Sequence, residues 1–316
     1  MHFSGNATAP SAPQFTIRNS LFTIYNLEFT VPELPEVETV LQGLKQRALG
    51  RRIIAVEVRH PGVIAGSPER FAAEVEGRTI VSLRRKGKAL ALELEAENAP
   101  PRYLLVRLGM TGQFTVSARE IPLAPHTHVL LAVGEHDELR FRDVRRFGRL
   151  RSCTREELES VFARLGPDAQ EATEAQFLNA MRGRHGAIKS WLMNQQLLAG
   201  LGNIYADESL HVAGIHPLAQ PGRVSALKAH RLFKAVRKVL DQAVKLQGTS
   251  FRDYVDIEGR PGNYEPRLRV YQRTGEPCRR CGRPIRRLVI GGRSSHFCPR
   301  CQPRPRRVAQ MGGARH

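Results

Sequence analysis

The spacing of apolar residues changes character once along the chain, at about residue 154. Before that point apolar and polar residues mostly alternate over short stretches, which is the period of a half-buried strand; after it apolar residues recur every three to four positions, as on one face of a helix. Strands are predicted at 53–58, 79–83, 89–94, 103–106, 129–133 and 138–141. Many short strands at close spacing predict a β-sandwich or barrel for the first half.

One helix is predicted ahead of these strands. Its apolar residues follow the i, i+3, i+4, i+7 spacing of a helix face, and they are Val37, Val40, Leu41 and Leu44. It is expected to end near Gly50, and Pro35 suits its first turn. Three acidic residues suit the positive end of its dipole: Glu33, Glu36 and Glu38. Taken alone, this stretch predicts only a proline-capped helix start.

The second half is predicted to be helical. Thr154 and Glu157 form a capping box that opens a helix. Further helices are predicted at 174–182, 187–196, 204–212 and 225–246. The glycine-rich link 198–202 separates two of them. Such a turn either presents a helix N-terminus to a phosphate or simply packs two helices, and the spacing alone leaves both possibilities open.

The last forty residues contain four of the five cysteines. Cys278 and Cys281 form one Cys-x2-Cys pair, and Cys298 and Cys301 form a second pair after sixteen intervening residues. Two such pairs supply the four ligands of a closed, tetrahedral Zn²⁺ site, so one structural zinc ion is predicted. The segment between the pairs, 284–297, is predicted to be a β-hairpin. His296 is surplus to four cysteines, and the fifth, Cys153, is interpreted as a structural thiol.

The net charge of the chain indicates the class of its binding partner. The 316 residues carry a formal net charge of +19, and the sequence pI is about 10.6. So large a basic excess is typical of proteins that bind a polyanion, most often nucleic acid. No apolar run reaches the roughly 18 residues of a membrane span. Residues 1–30 have a different composition and no signal-peptide pattern, so we expect them to be disordered or absent from the native protein, and we expect a cytoplasmic location.

Several motifs occur in order and without large gaps between residues 31 and 302: VPELPEVETV at 31–40, RRKGK at 84–88, LGMTG at 108–112, DVRRFG at 143–148, AGLGNIYADE at 199–208, and GR with HFCPRCQ at 292–302. Together they resemble the formamidopyrimidine-DNA glycosylases, bacterial enzymes that excise oxidised purines in base excision repair. The resemblance implies a β-sandwich with a flanking N-terminal helix, a helix-two-turns-helix region and a zinc finger. It also implies a monomer that acts on double-stranded DNA.

The resemblance implies a covalent mechanism. The imino nitrogen of Pro32, as an N-terminal amine, would form a Schiff base with deoxyribose, because an α-amine with a pKa of about 8 is partly neutral near pH 7. Glu33 would act as general acid/base. Lys88 and Arg293 would donate protons in the β- and δ-eliminations of the accompanying AP lyase reaction. Without the resemblance, Glu33 would be a helix-dipole carboxylate and Lys88 a solvated turn lysine.

The same resemblance implies residues that contact DNA. The damaged nucleotide must leave the stack, and side chains must fill the gap. Met110 and Phe147 would be the wedges, and Arg145 would bind the orphaned base. Phosphates would be bound by Asn203, Lys189 and Arg107, although Arg107 stands where the family usually has histidine. The segment 248–262, with Thr249, Ser250, Arg252 and Tyr254, would cover the flipped base.

The predicted organisation has five parts: an N-terminal extension at 1–30, a catalytic β-sandwich at 31–153, a helix-two-turns-helix region at 154–266, a zinc finger at 267–302 and a disordered basic tail at 303–316. Two alternatives to an oxidised-purine glycosylase remain. One is the endonuclease VIII family, which removes oxidised pyrimidines but usually begins Pro-Glu-Gly where this chain has Leu34. The other is a non-catalytic protein that binds damaged DNA, since Pro32 is an internal amide here. We hypothesise that Val31 is the true initiator, which would free Pro32.

Overall fold

The computed structural model describes residues 32–251 and 253–305. Two four-stranded antiparallel sheets form the predicted β-sandwich, one in the order β1-β6-β7-β5 and the other in the order β2-β3-β4-β8. The strands are β1 Ile53–Val58, β2 Thr79–Lys86, β3 Ala89–Ala96, β4 Ala99–Arg107, β5 Gly112–Ala118, β6 Thr127–Val133, β7 Asp137–Asp143 and β8 Arg149–Cys153. The predictions for residues 1–31, Arg252 and 306–316 lie outside the described residues.

Helices follow and flank the sandwich. They are α1 Leu34–Arg47, α2 Pro68–Val75, α3 Arg155–Ala163, α4 Glu174–Met181, α5 Ile188–Leu192, α6 Asn203–Ala213 and α7 Ala226–Lys245. The capping box that opens α3 is present, with Thr154 Oγ accepting from Glu157 N. The hairpin is formed by β9 Arg286–Ile290 and β10 Arg293–Phe297. No helix in these ranges is long and apolar enough to cross a membrane.

The structure corrects the predicted elements in four places. Strands β5 and β8 and helix α2 were not predicted, because glycine and arginine motifs or a short length mask their periodicity. The helix predicted at 187–196 ends at Leu192. It ends there because the Gln195 side chain turns back, donating to Leu201 O and accepting from Gly200 N. Those two bonds satisfy the backbone of the glycine turn.

Helix α1 connects the two hydrophobic cores. Val37, Leu41 and Leu44 pack into the core of the sandwich. Leu34, in the first turn of the same helix, packs into the core of the helical half. Burial of apolar surface at both ends of one helix therefore places its N-terminus at the junction of the two halves. Pro32 and Glu33 immediately precede that N-terminus, and both are buried.

Candidate functional site

The carboxylate of Glu33 is held by the N-terminus of α6. Gly202 N donates to Glu33 Oε2 at 2.6 Å, and Ile204 N donates to Oε1 at 2.8 Å. These are amides that a helix N-terminus leaves without partners inside the helix, and they favour an anion. The spacing of the glycine turn left open whether it presents a helix N-terminus to a phosphate; in the structure these two amides bind the Glu33 carboxylate.

Burial raises the pKa of Glu33 from the ordinary 4.5 to about 7. The side chain is 1% exposed, and the cost of desolvating its charge outweighs the opposing effects of Lys88 and of the Ile204 and Gly202 amides. A carboxyl group with this pKa is present in both protonation states near neutral pH. It can therefore give up a proton and take one back, which is what a general acid/base requires.

Lys88 faces the same carboxyl group. A Cβ built on Gly202 would lie 2.5 Å from Lys88 Nζ and 2.5 Å from Glu33 Oε1, so only glycine allows both groups to approach this turn. Burial lowers the pKa of Lys88; the charges of Glu33 and Glu36 oppose this shift, and that of Arg293 adds to it. Arg293 on the hairpin is therefore within electrostatic reach of Lys88. The structure brings these three predicted residues, Glu33, Lys88 and Arg293, to one place.

Glu36 is a second buried carboxyl group beside Glu33, and we had interpreted it only as a helix-dipole residue. Its carboxylate accepts from Glu33 N at 2.8 Å, from Thr249 N at 2.8 Å and from the hydroxyl of Tyr205. Burial raises its pKa. The bonds to Glu36 join α1, α6 and the start of the 248–262 segment. The capping-box spacing from Glu33 to Glu36 is the only sequence signal that pointed to this role.

The raised pKa of Glu33 predicts how stability depends on pH. Because the pKa lies above the unfolded value, the folded protein binds this proton more tightly, so the stabilisation is fully present below pH 4.5 and is lost as pH rises through 7. The unfolding free energy of wild type minus that of Glu33→Gln should fall by about 3 kcal/mol over this range. Urea unfolding of both proteins at pH 4.5 to 8 measures it. A difference that does not change with pH would contradict the raised pKa.

The predicted void-filling residues lie on two loops that one buried carboxylate joins. Asp143 Oδ1 accepts from Arg145 N at 3.2 Å and from the hydroxyl of Thr111, and Oδ2 accepts from Gly148 N at 2.7 Å. The Met110 loop is thereby tied to the Phe147 loop. Phe147 is 53% exposed, with the Arg145 guanidinium 4.8 Å from its ring centre, and Met110 is half-buried. An exposed aromatic side chain on an anchored loop suits a wedge.

Two of the side chains predicted to bind phosphate, those of Asn203 and Arg107, are at least partly exposed to solvent. Asn203 begins α6 and is half-buried, with Nδ2 3.5 Å from the hydroxyl of Tyr271. Arg107 is exposed at the end of β4. Tyr271 was not predicted from the sequence, since it lies outside the stretches that carry the resemblance. Its hydroxyl lies beside Asn203 only because the chain preceding the zinc cysteines packs on α6, where Glu208 accepts from Tyr271 N at 3.0 Å.

The expected phosphate contact of Lys189 has to be corrected. Its side chain is 1% exposed, and Nζ lies 2.7 Å from Asp207 Oδ1 and donates to Ser294 O at 2.5 Å. Asp207 also accepts from His296 N at 2.8 Å. An ammonium group enclosed in this way would have to break a buried ion pair to reach DNA, which is costly. Lys189 instead fastens the hairpin to α6, and His296 is a packing residue.

The segment expected to cover a flipped base is packed against α1 in this structure. Ser250 Oγ donates to Tyr254 O at 2.7 Å and accepts from Gly262 N at 2.8 Å, which closes the segment on itself. The Tyr254 hydroxyl donates to Glu36 O at 3.4 Å. The segment 248–262 therefore starts beside the buried carboxyl groups of Glu33 and Glu36. A cover over the site would have to extend from that position.

The four zinc-knuckle cysteines meet as predicted. Their sulfur atoms all lie within 4.8 Å of one another, with 3.9 Å between Cys278 and Cys301 and 3.4 Å between Cys281 and Cys298. Tetrahedral Zn²⁺ with Zn–S bonds of about 2.3 Å requires sulfur separations of about 3.8 Å, so the four residues fit the ion. His211 Nε2 on α6 lies 3.4 Å from Cys278 Sγ. Burial, with the charges of nearby arginines, lowers the pKa of His211 to about 4.

Three family models match the chain in succession. They are the formamidopyrimidine-DNA glycosylase N-terminal domain at residues 31–150, the formamidopyrimidine-DNA glycosylase H2TH domain at 165–255, and the zinc finger found in FPG and IleRS at 275–304. The zinc-finger match and the sulfur geometry agree on a structural Zn²⁺ held by Cys278, Cys281, Cys298 and Cys301. The match to the first two models covers the sandwich and the helical half.

Individual relatives agree with the family models. A formamidopyrimidine-DNA glycosylase of Solibacter usitatus is 42% identical over 275 residues, which is 87% of this chain and 100% of that protein. Wild-type Fpg of Lactococcus lactis in complex with DNA containing N7-benzyl-Fapy-dG superposes with a TM-score of 0.80 at 34% identity, over 86% of this chain and all of that one. The same enzyme with DNA containing an oxidised pyrimidine gives a TM-score of 0.79 at the same identity and coverage.

Proposed function

Because this chain belongs to the formamidopyrimidine-DNA glycosylase family, whose members are base-excision-repair DNA glycosylases with AP lyase activity, we propose that it removes oxidised purines from double-stranded DNA and then cleaves the strand. The observation that carries this proposal is the Glu33 carboxyl group, buried beside Pro32 with a pKa of about 7 and facing Lys88. That arrangement supports acid–base chemistry next to a nucleophile.

In the proposed reaction Pro32 must be the first residue, so that its nitrogen is a secondary amine with a free lone pair. The nitrogen attacks deoxyribose C1′, and the bond from C1′ to the base breaks with its electron pair leaving on the base, which is protonated. Glu33 protonates the ring oxygen as the bond from C1′ to that oxygen breaks, the amine loses its proton, and a Schiff base forms. The amides of Gly202 and Ile204 hold the Glu33 carboxyl group in a fixed orientation for this transfer.

Strand cleavage follows from the Schiff base. Glu33, deprotonated after the ring opens, takes a proton from C2′ as the bond from C3′ to the 3′ phosphate breaks; removal of a second proton, from C4′, then lets the 5′ phosphate leave. We propose that Lys88 and Arg293 supply the protons for these two steps. Support comes from the lowered pKa of Lys88 and from the position of Arg293, whose charge contributes to that shift. An amine with a lowered pKa exchanges protons closer to neutral pH than an ordinary lysine does.

The proposed substrate must be flipped out of the duplex to reach Glu33, at a cost of a few kcal/mol. We propose that Met110, Arg145 and Phe147 occupy the vacated space, and that Asn203, Arg107 and the newly identified Tyr271 contact the backbone. The purine assignment is supported by the L. lactis complex with a formamidopyrimidine nucleotide. The complex of the same enzyme with an oxidised pyrimidine favours some pyrimidine activity as a second candidate, so both lesions belong in the assay.

Borohydride trapping on duplexes with 8-oxoguanine tests the proposal. Protein that begins at Pro32 is expected to form a covalent adduct that maps to Pro32, because only a free amine forms a Schiff base that borohydride reduces. The full 316-residue chain, in which the Pro32 nitrogen is an amide, is the matched control and is expected to bind the duplex without trapping. Equal trapping by both proteins would contradict the role of Pro32. A parallel duplex with an oxidised pyrimidine measures the second candidate activity.

A further inference from the structure

Asp168 occupies the junction between the sandwich and the helical half, outside every motif that carries the family resemblance. Its side chain is 4% exposed. Oδ2 accepts from Gly87 N at 2.7 Å and from Arg85 Nη1 at 2.5 Å, and Oδ1 accepts from Gln170 N at 3.0 Å. A buried carboxylate with every oxygen used in this way holds its partners in one geometry. The partner Gly87 directly precedes Lys88.

Arg85 completes the junction from the other side. Its side chain is also 4% exposed, and Nε donates to Glu38 Oε2 at 2.7 Å while Nη1 donates to Gly87 O at 3.0 Å. The planar guanidinium thus contacts α1, the turn before Lys88 and Asp168 at once. Both backbone groups of Gly87 are therefore bound, its N–H by Asp168 and its carbonyl by Arg85.

The Asp168 segment is hydrogen-bonded to the 198–202 turn, whose Gly202 amide binds the Glu33 carboxylate. Ala199 N donates to Pro167 O at 2.9 Å, and Ala169 N donates to Ala199 O at 2.8 Å. The next residue, Gly200, accepts from Leu34 N at 3.1 Å. A Cβ on Gly87 would lie 3.0 Å from Ala199 Cβ, so the two turns are in direct contact. A continuous set of hydrogen bonds therefore runs from Gly87, next to Lys88, through the Asp168 carboxylate and its segment to Leu34, next to Glu33.

The position of the Lys88 ammonium depends on this junction more than the position of the Glu33 carboxyl group does. Within residues 32–251 and 253–305 its Nζ makes no hydrogen bond, whereas the Glu33 carboxyl group accepts backbone amides. A flexible four-carbon side chain without such a bond is placed chiefly by its own backbone. We propose that Asp168, with Arg85, is a positioning residue that sets the separation of the Lys88 ammonium from the Glu33 carboxyl group. The inference rests on the proposed function, since it concerns the proton transfers of that reaction.

The consequence is a specific change in the pH profile. If the Lys88 turn moves away, the Lys88 charge no longer lowers the pKa of Glu33, so the alkaline limb of base excision, which needs protonated Glu33, moves to higher pH. The Glu33 charge no longer raises the pKa of Lys88, so the alkaline limb of β-elimination, which needs protonated Lys88, moves to lower pH. The alkaline limbs of the two steps should therefore move in opposite directions. A variant that only destabilises the fold would reduce the amount of active protein and leave both limbs in place.

Asp168→Asn is the test, because it keeps the size of the side chain and an oxygen for Gly87 N but loses the charge opposite Arg85. With protein beginning at Pro32, single-turnover β-elimination at an abasic site should fall roughly 10- to 100-fold, with its alkaline limb moved to lower pH, while the alkaline limb of 8-oxoguanine excision moves to higher pH. Glu159→Gln is the matched control. It removes the neighbouring ion pair between Arg84 and Glu159, 2.6 Å long and exposed, which also joins β2 to the helical half. That control should keep the wild-type profile.

Two further outcomes distinguish a failure of the positioning role from a failure of the proposed function. Folded Asp168→Asn protein with wild-type limbs would overturn the positioning role while leaving the proposed function intact. Wild-type protein that neither excises nor is trapped would instead overturn the proposed function. If Asp168→Asn does not fold, Arg85→Gln serves in its place, since it removes the same ion pair but keeps the bond from Gly87 N to Asp168. It should move the two alkaline limbs in the same way as Asp168→Asn, and unchanged limbs in that variant would reject the inference.

Discussion

Replacing Glu33 by glutamine is expected to lower the single-turnover rate of base excision by about 10²- to 10⁴-fold, which is the usual contribution of a positioned general acid. The amide cannot donate a proton to the sugar ring oxygen. Affinity for the damaged duplex should change little, because glutamine retains a carbonyl oxygen that can accept from Gly202 N and because no contact predicted for DNA involves Glu33. Rapid-quench kinetics on 8-oxoguanine duplexes and fluorescence anisotropy measure the two quantities.

Glu36→Gln is the contrast for this variant. Glu36 is as buried as Glu33 and lies one helical turn away, but its carboxylate is enclosed by Glu33 N, Thr249 N and the Tyr205 hydroxyl. Replacing the Glu36 carboxylate should lower the free energy of unfolding more than it lowers the rate of base excision. If both variants lose excision to the same degree at equal folded fractions, or if Glu33→Gln excises at the wild-type rate, Glu33 is not the general acid.

Removing the zinc ion is expected to have the second large effect. Structural zinc sites in small finger peptides contribute about 10–16 kcal/mol of apparent binding free energy, and this hairpin has only a small core around its cysteines. Cys298→Ser or chelation should therefore unfold the hairpin and release Arg293 from the position in which its charge acts on Lys88. Duplex affinity should fall, and the slope of log K against log salt should decrease by about 0.9 for each DNA phosphate that the protein no longer neutralises.

Cys153→Ser is the control for zinc removal. Cys153 is buried in β8, where its thiol lies 3.5 Å from Tyr103 O, in a different hydrophobic cluster from the hairpin core. This variant should retain one zinc ion per chain by metal analysis and an unchanged salt slope. Cys298→Ser protein that still binds stoichiometric zinc, or that keeps both the affinity and the salt slope of wild type, would show that the hairpin does not depend on the ion.

The family and the fold could be predicted from the sequence, because local patterns carry both. Two residues between cysteines bring two sulfur atoms to one side of a turn, so the four zinc ligands were evident from spacing alone. The same is true of α1, which its apolar period predicts, and of the hairpin turn at Gly291 and Gly292, whose positive φ angles glycine adopts without strain. The predicted division at residues 153/154 and 266/267 stays a prediction.

Only the tertiary structure decided what the charged residues do, because burial and pairing depend on residues far apart in sequence. Glu33 acquires its raised pKa from being buried against the N-terminus of α6, whose amides lie about 170 residues away along the chain, and no local pattern encodes that approach. Lys189 looked like a phosphate ligand but is enclosed with Asp207, and Asp168 belonged to no motif but joins the two halves beside Lys88. The sequence by itself determined which groups are available at the Val31–Val40 stretch and at the zinc knuckles. The fold decided which of those groups are desolvated, and desolvation sets their chemistry.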